Sequence, residues 1–329
     1  VSNDLRRAPL QPSASIVKPS TKSRKGRNRA KAISSYVGRF APSPTGPLHL
    51  GSLISALASY LDAHHNGGRW LLRMEDIDPP REQPGASHSI LASLRAHGLN
   101  SDEPVFWQSE RVDAYRETAQ KLLQDGLAFR CDCSRQRLTE LGGVYDGHCR
   151  HRELSAEQPH AIRLRLPEYS LSGTDTVTVH DRIQQPLNLN LKSQIGDFVI
   201  WRKDDLPAYQ LAVVLDDAVQ DISDVLRGSD LYESTSRQIC LQQQLRLSTP
   251  RYAHIPVLNN LLGQKLSKQS HAPAIDDSLA LDNLRLALKF LNQPENKQLR
   301  IDRFLEQAIE QWQLQVIDGC RDISEAVLA

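Results

Sequence analysis

Arg39-Phe40-Ala41-Pro42-Ser43-Pro44-Thr45-Gly46-Pro47-Leu48-His49-Leu50-Gly51-Ser52 is the stretch whose reading decides the fold. Residues 35–41 read as a short strand and residues 42–47 as a tight Pro/Gly turn. Leu50, Ile54, Leu57 and Leu61 then recur at spacings of four, three and four, which marks one face of a helix. Asn66-Gly67-Gly68 stops that helix. Residues 69–75 follow as a second strand, apolar at Trp70, Leu71, Leu72 and Met74, as a strand covered on both faces requires. Strand, helix and strand with short connections make a right-handed βαβ unit and begin a parallel sheet. Ligands of such a sheet lie at the carboxyl ends of its strands. The quoted stretch delivers His49 and Gly51 there, at a helix start whose free N–H groups favour phosphate.

Outward from this unit, residues 109–125 read as a further helix, and the register changes after Gly126. Residues 127–195 hold a cysteine cluster and strand-like pieces at 161–166 and 176–181, with little helical period. The α/β rhythm then returns: strand 198–201, helix 208–219, strand 222–226, helix 231–245 and strand 254–258. Asp230 and Glu233 have the spacing of a capping box before the second of these helices. Residues 276–315 are helical in pattern. The fold class expected is α/β, a doubly wound parallel (Rossmann-type) sheet interrupted by a zinc-containing α+β insert, with a small helical C-terminal region. The corresponding divisions are 1–34 (a basic, disordered tail), 35–126 and 196–270 (the halves of the sheet domain), 127–195 (the insert) and 271–329.

Charged residues make up 24% of the chain and hydrophobic residues 40%, ordinary values for a globular protein. No apolar run approaches the roughly 18 residues of a membrane span, so no membrane role is expected. The net charge of +1 hides an asymmetry: residues 1–31 carry nine Lys or Arg against Asp4 alone, which leaves −7 on the rest. Nucleic acid binding to such a body requires basic patches. Five cysteines, three of them at Cys131, Cys133 and Cys149, fit metal binding in a reducing, cytoplasmic compartment better than a disulfide framework. Cys240 and Cys320 read as inert packing residues.

A second segment, Lys265-Leu266-Ser267-Lys268-Gln269, follows the last sheet strand. Two lysines flanking a serine can neutralise charge on a departing pyrophosphate. With the first stretch it resembles the paired "HIGH" and "KMSKS" signatures of class I aminoacyl-tRNA synthetases, and RFAPSPTGPLHLGS resembles the glutamyl branch. Ser52 stands where the second His of the signature would be, and Leu266 and Gln269 replace Met and the final Ser, so Ser52 and Gln269 are not assigned chemistry. About sixty residues follow the loop, short for an anticodon-binding domain. Together with the cysteine cluster this resembles the glutamyl-Q tRNA(Asp) synthetase family over residues 36 to about 295. That resemblance implies ATP-dependent activation of L-glutamate and its transfer to queuosine in the anticodon of tRNA(Asp), by a monomer.

Glutamate presents two carboxylates and an ammonium, so its site needs a cation and an acid. Arg39, Arg227 and Glu75, each at a strand end, fit those needs, and Tyr209 offers a hydroxyl. The resemblance places the glutamate contacts on Arg39, Phe40, Ala41, Pro42, Ser43, Glu75, Tyr209 and Arg227. It places the ATP contacts on His49, Gly51, Lys265 and Lys268, with His49 and Lys268 catalytic and Mg²⁺ held mainly by the phosphates. Asp76 and Asp78 have supporting roles. Three cysteines suit a structural Zn²⁺ with a fourth ligand nearby. Chemistry alone favours His148 or His151, whereas the resemblance implies Tyr145. Two other readings remain: a short glutamyl-tRNA synthetase acting at the acceptor end, and a non-catalytic RNA-binding paralogue.

Overall fold

The computed structural model describes residues 35–168, 170, 173–260, 263, 265 and 273–328. The basic tail at 1–34 and residues 266–269, Lys268 among them, lie outside the described residues. In chain order the elements are β1 (Val37–Phe40), α1 (Leu50–His65), β2 (Arg69–Met74), α2 (Ala86–Ala96), β3 (Phe106–Trp107) and α3 (Val112–Gln124). Then come β4 (Ala128–Cys131), α4 (Arg135–Glu140), β5 (Ala161–Leu164), β6 (Thr176–Val179), β7 (Leu187–Asn190) and β8 (Val199–Trp201). The rest are α5 (Tyr209–Val219), β9 (Asp224–Gly228), α6 (Ser234–Leu245), β10 (Arg251–Ile255), β11 (Val257–Asn259), α7 (Ala280–Phe290), α8 (Ile301–Gln311) and β12 (Asp322–Ser324).

β1, β2 and β3 pair in parallel, as do β9 and β10. The two groups meet where the Ser223 amide donates to the Val37 carbonyl at 3.0 Å. The order is therefore β3-β2-β1-β9-β10, reversing direction between β1 and β9, and a ligand crevice belongs at that switch point. Leu72 and Trp70 face one helix layer, with Leu53 and Leu57 of α1, Leu284 of α7 and Phe304 of α8. Leu71 faces the other, with Tyr115 of α3, Leu211 of α5 and Ile239 of α6. Fully burying each such side chain stabilises the fold by about 1.5–3 kcal/mol. A Cβ on Gly68 would lie 2.3 Å from the Tyr36 carbonyl oxygen, so the close approach of the strand entries admits only glycine. Asp62 of α1 draws distant parts together: it accepts from Tyr36, from Arg182 at 2.7 Å and from the Trp312 indole at 3.0 Å.

Several expectations change. The strand at 198–201 forms over Val199–Trp201 but pairs antiparallel with β5, so it extends the β4-β5-β8 sheet of the insert instead of the parallel one. The strand at 254–258 is two strands, because Pro256 interrupts it. β11 then pairs with β12, a strand inside a region read as helical. The capping box does not form: α6 begins at Ser234, Glu233 makes no capping bond, and Asp230 pairs with Lys265 instead. Among the described residues no helix is long and apolar enough to cross a membrane.

Candidate functional site

A cleft of about 530 Å³ opens at the carboxyl ends of β1, β2 and β9, at the switch point. Arg39, Phe40, Ala41, Pro42 and Ser43 run along it as β1 gives way to the turn. His49 and Gly51 border it at the start of α1, Glu75 after β2, Tyr209 at the start of α5, Arg227 at the end of β9, and Lys265 at the rim. Every described residue assigned from sequence to glutamate or ATP thus lines one cavity.

His49 caps α1: its Nδ1 accepts from the Ser52 amide at 3.3 Å, and its Nε2 lies 2.9 Å from Ser52 Oγ. The ring is 8% exposed, toward the cleft. Behind Glu75 lies a buried ion cluster. Arg39 pairs with Asp217 at 3.1 Å, and Arg73 pairs with Asp217 at 2.6 Å and approaches Glu75 to 3.9 Å. Burial pushes the Asp217 carboxyl up, but Arg39 and Arg73 more than offset this and hold it below the usual range. Glu75 is the opposite case. Burial raises its carboxyl to about 7 despite the pull of Arg73 and Arg39.

Arg227 is 5% exposed and almost fully engaged. It donates to His254 Nε2 at 3.0 Å, Thr235 Oγ1 at 2.8 Å and Gln238 Oε1 at 2.9 Å, and to the Tyr209 hydroxyl at 3.3 Å. On the other rim, Lys265 Nζ meets Asp230 Oδ2 at 2.6 Å. Asp230 folds back over Gly228, where a Cβ would stand 2.5 Å from its Oδ1. Asp76 holds Ser109 through its amide at 2.9 Å, and Asp78 accepts from Arg202 at 3.1 Å; neither lines the cleft. Sequence reasoning missed Arg81 and Asp230 in the lining, and Arg73, Asp217 and His254 behind it. Only Asp230 carried a sequence signal, the acid two residues beyond Gly228 at a strand end.

In the insert, Cys131, Cys133 and Cys149 bring their sulfurs within 4.8 Å of one another. Tyr145 Oη lies 3.5 Å from Cys131 Sγ and 3.6 Å from Cys133 Sγ, and the Cys133 and Cys149 sulfurs are 3.6 Å apart. A tetrahedral zinc with ordinary bond lengths sets ligand–ligand edges of roughly 3.5–3.8 Å, so this donor set fits the ion. Among the described residues the cluster takes in no histidine, and His148 and His151 are exposed. Three guanidiniums face the sulfurs: Arg163 at 3.3 Å from Cys131, Arg152 at 3.5 Å from Cys149 and Arg137 at 3.9 Å from Cys133. Burial pushes the Cys131 thiol up, but hydrogen bonds from Tyr145 and Arg163 more than offset this and hold it below its usual range, whereas burial raises Cys133 to about 11.

Residues 36–292 match the family model for the catalytic domain of class I tRNA synthetases (E and Q). The chain is 49% identical over 285 residues to a glutamyl-Q tRNA(Asp) synthetase of Pectobacterium atrosepticum, covering 86% of each. It is 46% identical over 303 residues to one of Pseudomonas fluorescens, covering 91% of this chain and 99% of that one. In fold it is similar to the glutamate-tRNA synthetase from Elizabethkingia anophelis, with a TM-score of 0.72 and 24% identity over 89% of this chain and 69% of that one.

Proposed function

The chain belongs to the class I tRNA synthetases of the E and Q type, and from that premise we propose that it activates L-glutamate with ATP and esterifies queuosine in the anticodon of tRNA(Asp). One observation carries the activation step. A single cleft at the sheet's switch point holds a buried cation, Arg227, a buried acid, Glu75, and the N-terminus of α1. The names of the relatives, which match over nearly their whole lengths, support queuosine as the acceptor.

Arg227 and the Tyr209 hydroxyl bind the side-chain carboxylate of glutamate, and Glu75 binds its ammonium. These two anchors direct the α-carboxylate toward the phosphates of ATP, which lie at the N–H groups of α1 beside His49 and Gly51. Mg²⁺ brought in with ATP would offset part of the phosphate charge. A carboxylate oxygen attacks the α-phosphorus, and the bond to pyrophosphate breaks. No general base is needed, because the nucleophile is already ionised. Lys265 and Lys268 offset the charge on the departing pyrophosphate. A hydroxyl of the queuosine cyclopentenediol then attacks the glutamyl carbonyl, its proton passes to a phosphate oxygen of the departing AMP, and the bond to AMP breaks. Cys131, Cys133, Tyr145 and Cys149 would hold a structural zinc, which would tie the insert together and take no part in these steps.

The test has two arms. Pyrophosphate exchange must depend on glutamate, and labelled glutamate passed to tRNA(Asp) must map by ribonuclease digestion to the anticodon fragment. Label on the 3′ end of queuosine-free tRNA would favour acceptor-end charging.

A further inference from the structure

Arg227 is held by a second set of groups behind the cleft, and this set includes a residue from the insert. Its Nε donates to His254 Nε2 at 3.0 Å. That nitrogen must therefore carry a lone pair, and the ring's single proton must sit on Nδ1, which faces Asp181 Oδ2 at 2.6 Å. The other Asp181 oxygen accepts three backbone amides, from Ile183 and Gln184 at 2.9 Å each and from His254 at 3.1 Å. Both side chains are 0% exposed. The ring lies between Tyr232, at 5.0 Å, and Tyr252, at 6.1 Å. Asp181 itself bridges to Tyr252, where the chain leaves the insert's β6 and meets the parallel sheet at β10.

We propose that His254 is a positioning residue for Arg227, and that Asp181 of the insert fixes the imidazole tautomer this requires. The proposal rests on reading Arg227 as the cation that binds the glutamate side chain. With Nε on His254 and Nη2 on Thr235 and Gln238, Nη1 is the nitrogen turned to Tyr209 and the cleft. A proton on Nε2 would set an N–H against the guanidinium, and the fork would swing from its place. Burial pushes the imidazole down to about 4 against the pull of Asp181, so the ring stays neutral at physiological pH. Amino-acid recognition is thereby tied to correct docking of the insert, since one of the groups that sets Arg227 comes from it.

The test is glutamate-dependent pyrophosphate exchange in full-length variants. Gln at 254 can place an oxygen near the former Nε2, whereas Asn reaches only the former Nδ1. His254→Asn is expected to raise the glutamate KM about tenfold or more with the ATP KM unchanged, as loss of a buried bond to a charged group implies, while His254→Gln stays within about threefold of the parent. In Asp181→Asn the amide oxygen is claimed by the three backbone N–H groups. Its NH₂ then faces Nδ1 and forces the wrong tautomer, so the glutamate KM rises here too. A merely structural role would move both His254 variants together, along with the ATP KM. Equal glutamate KM values for His254→Asn and His254→Gln, or a parental value in Asp181→Asn, would overturn the proposal. Arg227→Ala separates the two levels. If it leaves glutamate use intact, the reading of Arg227 fails; if it abolishes glutamate use while His254→Asn does not alter it, only the positioning role fails.

Discussion

Glu75→Gln is expected to make the protein more stable and unable to use glutamate. Glu75 is 9% exposed, and burial raises its carboxyl from 4.5 to about 7 against Arg73 and Arg39. Each pH unit of such a difference is worth about 1.4 kcal/mol, so keeping Glu75 ionised at pH 8 costs the fold about 3 kcal/mol. The sign follows from the raised value. The cost is absent below pH 4.5, grows as pH rises and is complete above about 7. Glutamine keeps the shape and never ionises. The variant should therefore melt roughly 5 °C or more above the parent at pH 8, and nearly with it at pH 5. Without a counter-charge for the substrate ammonium, glutamate-dependent exchange should fall about 10²-fold or more. In the parent the glutamate KM should rise as pH drops below 7, because a protonated Glu75 cannot pair with that ammonium. Melting and exchange at both pH values check this. Arg73 offers the contrary argument, since its buried Nε has no hydrogen-bond partner among the described residues and lies 3.9 Å from Glu75. A variant less stable than the parent at pH 8, or a gap that does not widen from pH 5 to pH 8, would show that Arg73 needs the Glu75 charge and would refute the reasoning.

Lys268→Ala should slow glutamate activation by about 10²-fold or more, on the scale of losing one electrostatic donor, with little change in glutamate affinity; single-turnover adenylate formation measures it, and an unaltered rate removes the residue from the mechanism. Chelation of zinc should lower the melting temperature and transfer to RNA while sparing most of the exchange reaction. Elemental analysis that finds no zinc in carefully prepared protein would contradict it.

Much of the site was legible because its residues sit where local rules place them. Arg39, Glu75 and Arg227 end strands, His49 starts a helix, and both kinds of position can be read from apolar periodicity. The layer behind them was not legible, because its pairings span the chain. Arg39 meets Asp217 178 residues away, and His254 meets Asp181 73 residues away. In sequence Asp217 is an ordinary helix carboxylate, and nothing nearby marks it as buried. The helix Ala86–Ala96 was missed; it starts after Gly85 with no side-chain cap, and Ile90 and Leu94 are its only large apolar side chains that are fully buried. The Asp230–Glu233 spacing misled for a related reason: a tertiary partner, Lys265, claims the acid that a local cap would have used. Among the candidate metal ligands, spacing alone pointed to the three cysteines. Tyr145 came from the family resemblance, and the fold sets its hydroxyl beside two of the sulfurs.

The most direct test of the central claim is transfer of labelled glutamate to an isolated anticodon stem-loop of tRNA(Asp), made with either queuosine or guanosine at the modified position. Single-stranded loops are where bases can be splayed out and read, so the stem-loop alone should suffice. The expected result is a base-labile glutamyl ester on the queuosine loop and none on the guanosine loop. Label on both loops, or label only on the acceptor end of full-length queuosine-free tRNA, would contradict the assignment.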